Sequence, residues 1–363
     1  MSFRNLYVHI PFCRSKCGYC AFYSEPGREE LIDAYLTKLG EEIERAELDD
    51  RLDTVYVGGG TPTLLSTAQL ERLTSLLPAA EERSIEANPE TIDKAKAMFL
   101  SGEFSRISLG VQSFDAKKRH LLGRCCSDKA IHEALELISL APFRHRNIDL
   151  IYGAGEESVR EWERELETAL GYPIDHLSCY ALTHEENTAL DPAAQLVGHE
   201  EREADMAELT RAMTANCLPR YEISNYAKPG RECRHNMNVW NGLPYLGVGA
   251  ASSSFDGLKR WSGVESITSY LEGAPRMVDE LAPRERAFEV FAINLRTVKG
   301  WSRSEWERTL VAQTLSWQEL QKQAEQLKTA FPDCINHSET TISLTERGLD
   351  FWDTIALELM MPE

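Results

Sequence analysis

Six short runs rich in β-branched and aromatic residues, at 5–12, 54–57, 84–87, 106–111, 147–152 and 176–182, alternate with helix-periodic stretches. Those stretches lie at 30–47, 67–77, 91–100, 128–140 and 158–170, with Ser, Thr or Asp commonly near the start as cap. Strands that alternate with helices build a parallel sheet, because each crossover returns the chain to the same end. A doubly wound sheet and a barrel both satisfy this order. The strand ends favour the barrel: chemically unusual residues follow nearly every strand, from a cysteine loop and Gly58-Gly59-Gly60-Thr61-Pro62 to Glu86-Ala87-Asn88-Pro89, Gln112-Ser113-Phe114, Asp149 and Tyr180-Ala181. Barrels spread their chemistry over many strand ends, whereas open sheets gather it at one switch point. The expectation is an α/β chain whose residues 1–183 form a partial (β/α)6 TIM-like barrel.

Beyond residue 182 the regularity weakens. A helical stretch at 200–216, a strand at 220–226 and a Gly-rich segment at 241–257 make an extension and bridge over 184–283. Residues 284–363 read as a small, mainly helical domain that ends in a strand–turn–helix pattern near 340–359, winged-helix-like in outline. The formal charge of −19 repels a phosphate backbone, so no nucleic acid is expected as partner, although winged-helix tails do serve regulators. Met1-Ser2-Phe3-Arg4-Asn5 runs straight into an apolar strand without the features of a secretion signal, and no run approaches the roughly 20 apolar residues of a membrane span. A cytoplasmic protein without an integral membrane segment is expected.

Nine cysteines are an odd number, and only three are tightly spaced, which suits a reducing compartment and metal ligation. Cys13-x3-Cys17-x2-Cys20 follows directly on the first strand, and thiolates so crowded bind soft metals. A closed zinc site needs four ligands; Cys125 and Cys126 lie far away, and His9 is the conceivable fourth. A [4Fe-4S] cluster held by three cysteines leaves one iron without a protein ligand and open to chemistry. Cys125 and Cys126, like Cys179, Cys217, Cys233 and Cys334, read as packed thiols.

The segment Tyr7-Val8-His9-Ile10-Pro11-Phe12-Cys13-x3-Cys17-x-Tyr19-Cys20 resembles the opening of the radical S-adenosylmethionine (SAM) family that contains oxygen-independent coproporphyrinogen III oxidase (HemN) and the heme chaperone HemW. The Gly-Gly-Gly-Thr-Pro run, Glu86-Ala87-Asn88-Pro89, Leu109-Gly110-Val111-Gln112-Ser113-Phe114, Asn147-Ile148-Asp149-Leu150-Ile151-Tyr152-Gly153 and Tyr221-Glu222-Ile223-Ser224-Asn225-Tyr226 agree in order and spacing, so the resemblance covers nearly the whole chain. It implies a [4Fe-4S] cluster on Cys13, Cys17 and Cys20 whose open iron takes SAM, with an electron donor supplying the cluster. It implies SAM contacts from Glu86, Gln112, Arg124 and Asp149, further cofactor-lining positions at Tyr7, Tyr19 and Ala181, and close backbone approach at Gly59, Gly60 and Thr61. His9 then serves as support for the cluster loop.

HemN-type oxidases carry a further cysteine two residues after the triplet and an extension before the first strand. Here Ala21-Phe22 stands at that place and six residues precede Tyr7, both of which resemble HemW. Arg234-His235-Asn236-Met237-Asn238-Val239-Trp240 is similar to the His-Asn-x-x-Tyr-Trp motif of HemW, which implies heme as ligand and His235 as its axial nitrogen; the other reading of His235 is a hydrogen bond in a polar corner. Val239, Ala154 within Gly153-Ala154-Gly155-Glu156, and Ala251 depart from the family pattern near the heme or porphyrin end. The resemblance implies a protein that binds heme and delivers it to a respiratory-chain acceptor, with SAM cleavage as an available reaction. The alternative is a genuine radical SAM enzyme, an oxygen-independent coproporphyrinogen III oxidase or another HemN-like oxidoreductase or methyltransferase.

Overall fold

The structure, a computed structural model, describes residues 2–183, 185, 188–190 and 200–360. Six parallel strands carry the repeat: β1 (Asn5–Ile10), β2 (Leu52–Gly59), β3 (Ala80–Ala87), β4 (Arg106–Gln112), β5 (His145–Tyr152) and β6 (His176–Ala181). Between them run α1 (Ile32–Glu44), α2 (Thr67–Leu76), α3 (Lys94–Glu103), α4 (Asp128–Leu140) and α5 (Val159–Leu170). Ser66 and Ser158 open α2 and α5 with capping boxes completed by Gln69 and Glu161, so backbone N–H groups that lack a helical partner are satisfied.

Strand pleating decides what the barrel is for. Leu6, Val8 and Ile10 of β1 point one way and are fully buried, as are Val55 and Val57 of β2 and Ile107 and Leu109 of β4. They pack with Leu36, Leu39, Leu70, Leu73, Leu135 and Leu166 of the surrounding helices in one apolar core. Each such side chain contributes about 1.5–3 kcal/mol on leaving water, which holds the helices to the sheet. The alternate positions are polar and face one another inside: Asn5, Tyr7 and His9, then Thr54 and Tyr56, Glu82, Ser84 and Glu86, Ser108, Asn147 and Asp149, and His176 and Ser178. Hydrogen bonds across the interior tie them, as from Ser108 to Asp149, from Tyr56 to Glu86 and from Asn147 to Ser178. A barrel filled with branched apolar layers would be a core. This interior is polar instead.

Two more strands extend the sheet. β7 (Asn225–Ala227) runs antiparallel to β6, and β8 (Leu246–Val248) runs parallel to β1. They end the eight-stranded sheet on opposite sides without pairing, so the barrel is open. The strand expected at 220–226 is shorter and shifted, with Arg220 making only an isolated bridge to Tyr226. β8, inside the Gly-rich segment, has three residues, too few for periodicity to betray. The expected boundary at 183/184 falls where the described residues break.

A second apolar core gathers Phe255, Phe291, Trp301, Trp306, Leu320 and Ile342 among helices Pro283–Asn294, Trp317–Ala330 and Trp352–Met360. The helix Trp317–Ala330 is followed by the antiparallel pair Ile335–His337 and Thr341–Leu344, and helices Glu346–Asp350 and Trp352–Met360 come after the second strand, in the stretch where a strand–turn–helix pattern was expected. Among the described residues no helix is long and apolar enough to cross a membrane.

Candidate functional site

Cys13, Cys17 and Cys20 lie half-buried on the loop that leaves β1, at the strand-end mouth of the barrel, and all three are free thiols. Burial pushes the Cys17 thiol up, the Arg124 cation pulls against that, and Cys13 pushes it further. Burial likewise raises Cys20, with Lys16 opposing and both other cysteines adding to the rise. Cys17 and Cys20 therefore both feel the charge of a neighbouring sulfur. Among the described residues no three Cys, His, Asp or Glu side chains gather closely enough to hold a single metal ion. His9 is spoken for: Nε2 donates to the carbonyl of Tyr23 at 3.0 Å, so Nδ1 accepts from the Tyr7 hydroxyl at 3.1 Å. Burial lowers the His9 pKa to about 4, which keeps the ring neutral and suited to pinning the end of the cysteine loop.

The glycines make room for side chains. A Cβ on Gly59, whose φ is +109°, would stand 2.6 Å from the His9 ring; one on Gly58 would stand 2.8 Å from the Glu86 carboxyl carbon. A Cβ on Gly60 would meet the Phe12 carbonyl at 2.7 Å. The backbone N–H groups of Gly60 and Thr61 donate to Ile10 and Phe12, stitching this turn to the cysteine strand.

Four contacts then join the cysteine loop to itself through the loops after three other strands. Thr61 Oγ1 lies 3.6 Å from Cys13 Sγ and accepts from Asn88 Nδ2 at 3.0 Å. Asn88 Oδ1 accepts from Arg124 Nη1 at 2.9 Å, and Arg124 Nη2 donates to the Tyr19 hydroxyl at 3.1 Å. Burial opposes the Arg124 charge, yet Tyr19 and Cys17 hold it firmly protonated. Its Nε is buried with no hydrogen-bond partner among the described residues.

Inside the mouth, Glu86 accepts from Tyr56 at 2.9 Å and from the Gly59 N–H at 3.0 Å. Burial lifts its pKa to about 7, and Asp149 adds to the rise against those two donors. Burial also raises Asp149, with Ser178, Ser108 and Asn147 hydrogen bonds opposing. Gln112 closes β4 with φ +66° beside a register shift, a left-handed conformation that a non-glycine residue adopts only when its surroundings impose it. Ala181 ends β6 opposite Tyr152. Tyr7, Tyr19, Gly59, Gly60, Thr61, Glu86, Gln112, Arg124, Asp149 and Ala181 thus all lie on the inner face or at the strand ends of one barrel.

His235 lies elsewhere. It sits on the short helix Arg234–Trp240, which closes the strand-start end of the barrel, and only 5% of it is exposed. Its Nδ1 is 2.8 Å from Thr54 Oγ1, five residues before Gly59 on β2 and so about 16 Å from the mouth. Tyr7 and Tyr56 flank it, with ring centroids 6.3 and 5.2 Å away. Burial lowers its pKa to about 3, so the imidazole is neutral. The tautomer follows from Asn5, whose Nδ2 donates to the Pro244 carbonyl and whose Oδ1 therefore accepts, from Asn238 and from Thr54. Thr54 spends its one proton on Asn5, so His235 donates from Nδ1 and carries its lone pair on Nε2.

Sequence reasoning left Asn88, Thr54, Asn5, Tyr56 and the Glu82–Arg106 pair without a role. The signal that could have found most of them is the strict alternation within the strands, as in Asn5-Leu6-Tyr7-Val8-His9-Ile10, where polar residues recur on one face.

Residues 7–169 match the family model described as the Radical SAM superfamily. The heme chaperone HemW of Lactococcus lactis subsp. lactis (strain IL1403) is 32% identical over 312 residues, 82% of either chain. The heme chaperone HemW of Escherichia coli (strain K12) is 34% identical over 261 residues, 68% of this chain and 69% of that one. Among solved structures, coproporphyrinogen III oxidase (HemN) from Escherichia coli, described as a radical SAM enzyme, superposes with a TM-score of 0.81 over 98% of this chain and 90% of that one at 23% identity, which shows a common fold. Radical SAM membership implies a [4Fe-4S] cluster and SAM as cofactors. The chain belongs to the HemW family of radical SAM proteins.

Proposed function

We propose that this protein holds a [4Fe-4S] cluster on Cys13, Cys17 and Cys20, binds SAM at the barrel mouth, and carries heme on His235 for delivery to respiratory proteins. In this reading residues 1–183 are the cofactor-holding unit, 184–283 supply the heme ligand and 284–363 a docking surface. Bound at the mouth, cluster and SAM supply one-electron chemistry at an iron that no cysteine ligates. The protein's own part is placement. Glu86, Asp149 and Arg124 offer charged groups of both signs to SAM, Gln112 and Ala181 shape the strand ends, and Tyr7 and Tyr19 wall the space. His235 offers iron what a heme ligand needs, a neutral ring with a bare Nε2 and its other N–H held by a fixed acceptor.

The observation that carries the transfer reading over an oxidase is the separation of the two ends. A ligand on His235 lies at the strand-start end, with Tyr7 and Tyr56 between it and the mouth, out of reach of chemistry at the cysteine loop. Anaerobic reconstitution followed by heme titration, with 5′-deoxyadenosine measured in parallel, tests it. Iron and sulfide in equal amounts, heme binding, and loss of heme but not cluster in His235→Ala are the expected results. One zinc per chain without sulfide overturns the cluster. Anaerobic decarboxylation of coproporphyrinogen with consumption of SAM replaces transfer by the oxidase reading.

A further inference from the structure

Thr61 is buried, and its hydroxyl has two neighbours: Asn88 Nδ2 at 3.0 Å and Cys13 Sγ at 3.6 Å. The direction of each contact is fixed by Arg124. Its guanidinium only donates, so the Asn88 atom 2.9 Å from Nη1 is the amide oxygen, and the opposite end of that amide is the NH2 facing Thr61. Asn88 therefore donates to Thr61 Oγ1. The hydroxyl oxygen is already an acceptor, and its single proton has Cys13 Sγ as the remaining acceptor among the described residues. A thiolate ligating iron carries no proton of its own, so it can only accept.

We propose that Thr61 donates an O–H···S hydrogen bond to Cys13, held in that direction by Asn88, and thereby raises the reduction potential of the cluster. The inference rests on the cluster reading above. A hydrogen bond to a cluster sulfur stabilises the reduced, more negative state more than the oxidised one. Thr61 and Asn88 are positioning residues: neither ligates iron, and both act through one sulfur.

The test is a redox titration of the reconstituted full chain, followed by electron paramagnetic resonance, with iron and sulfide counted for every variant. Thr61→Val keeps the shape and removes the proton, and its midpoint potential is expected to move negative. Thr61→Ser keeps the proton and is expected to titrate with the unaltered chain. Asn88→Asp keeps the hydroxyl but offers it a carboxylate, drawing the proton away from Cys13; it too is expected to move negative, and adding Thr61→Val to it is expected to change nothing further. Should Thr61→Val not load, Asn88→Asp carries the expectation. An unshifted potential in Thr61→Val, or equal shifts in the Val and Ser variants, overturns the proposal, as does failure of both Thr61→Val and Asn88→Asp to load while Thr61→Ser loads. A wild-type chain that takes up no iron and sulfide overturns the cluster reading and this inference together.

Discussion

Arg124 donates to the hydroxyl of Tyr19 at 3.1 Å across 105 residues of sequence, and so ties the loop after β4 to the loop that carries the cysteines. A hydrogen bond from a buried cation is worth more than a neutral one, about 1.5–3 kcal/mol, and a guanidinium can serve Asn88 and Tyr19 at once where an ammonium does so poorly. Arg124→Lys is therefore expected to retain the cluster but weaken SAM about ten- to a hundredfold, read by titration of SAM into reconstituted protein. Equal SAM affinity in both proteins would remove Arg124 from the site.

Glu86 yields a dependence on pH. Its folded pKa of about 7 lies above the ordinary 4.5 because burial disfavours the charge, so the stability that its protonated form contributes is present below about pH 4.5 and lost as pH rises through 7. Glu86→Gln never bears that charge. Its advantage over wild type in the cluster-free chain is expected to be small at pH 5 and to grow by on the order of 2 kcal/mol by pH 8. Urea denaturation at the two pH values measures it, and a constant difference would show that Glu86 is solvated.

The strand-start end is closed by a buried ion pair. Arg106 Nη2 donates to Glu82 and to the carbonyls of Arg231 and Glu232, while Glu82 accepts from the backbone N–H groups of Arg234 and His235. Arg106 also carries Nε and Nη1 buried without hydrogen-bond partners among the described residues. Removing its counter-charge is costly, and Glu82→Ala is expected to destabilise the fold by about 3–5 kcal/mol. The milder Glu82→Gln is expected to speed amide exchange over 231–240 and, because His235 is covered as it stands, to speed heme association. Unchanged exchange there would show that Glu82 does not hold this segment.

What the sequence discloses follows the range of the interaction. The cysteine triplet is legible because its thiols lie within eight residues, and the five helices are legible because their apolar period is local. Asn88 is not, since its partners Thr61 and Arg124 stand 27 and 36 residues away and meet only when strands align. The helix Arg234–Trp240 escapes notice for the same reason. No side chain of its own caps it, and the carboxylate that holds its first N–H groups belongs to Glu82 on β3. The open, partial barrel follows from the spread of chemical residues over six strand ends, whereas the edge strand β8 is invisible to periodicity because it has three residues.

Thr54 decides which nitrogen of His235 carries the lone pair. With Asn5 taking the Thr54 proton at 2.9 Å, the ring must donate from Nδ1, and the lone pair is left on Nε2. Thr54→Val matches the shape but removes the acceptor, leaving a buried N–H whose cheapest remedy is a change of tautomer or a turn of the ring, and either spoils the ligand. Heme affinity is expected to fall about ten- to a hundredfold in Thr54→Val and to stay near wild type in Thr54→Ser. Long-range proton–nitrogen spectra of histidine-labelled protein give the tautomer directly, without heme. A proton found on Nε2 of His235 in the unaltered chain would refute this account of the ring, and heme binding that ignores Thr54 would place the ligand on another residue.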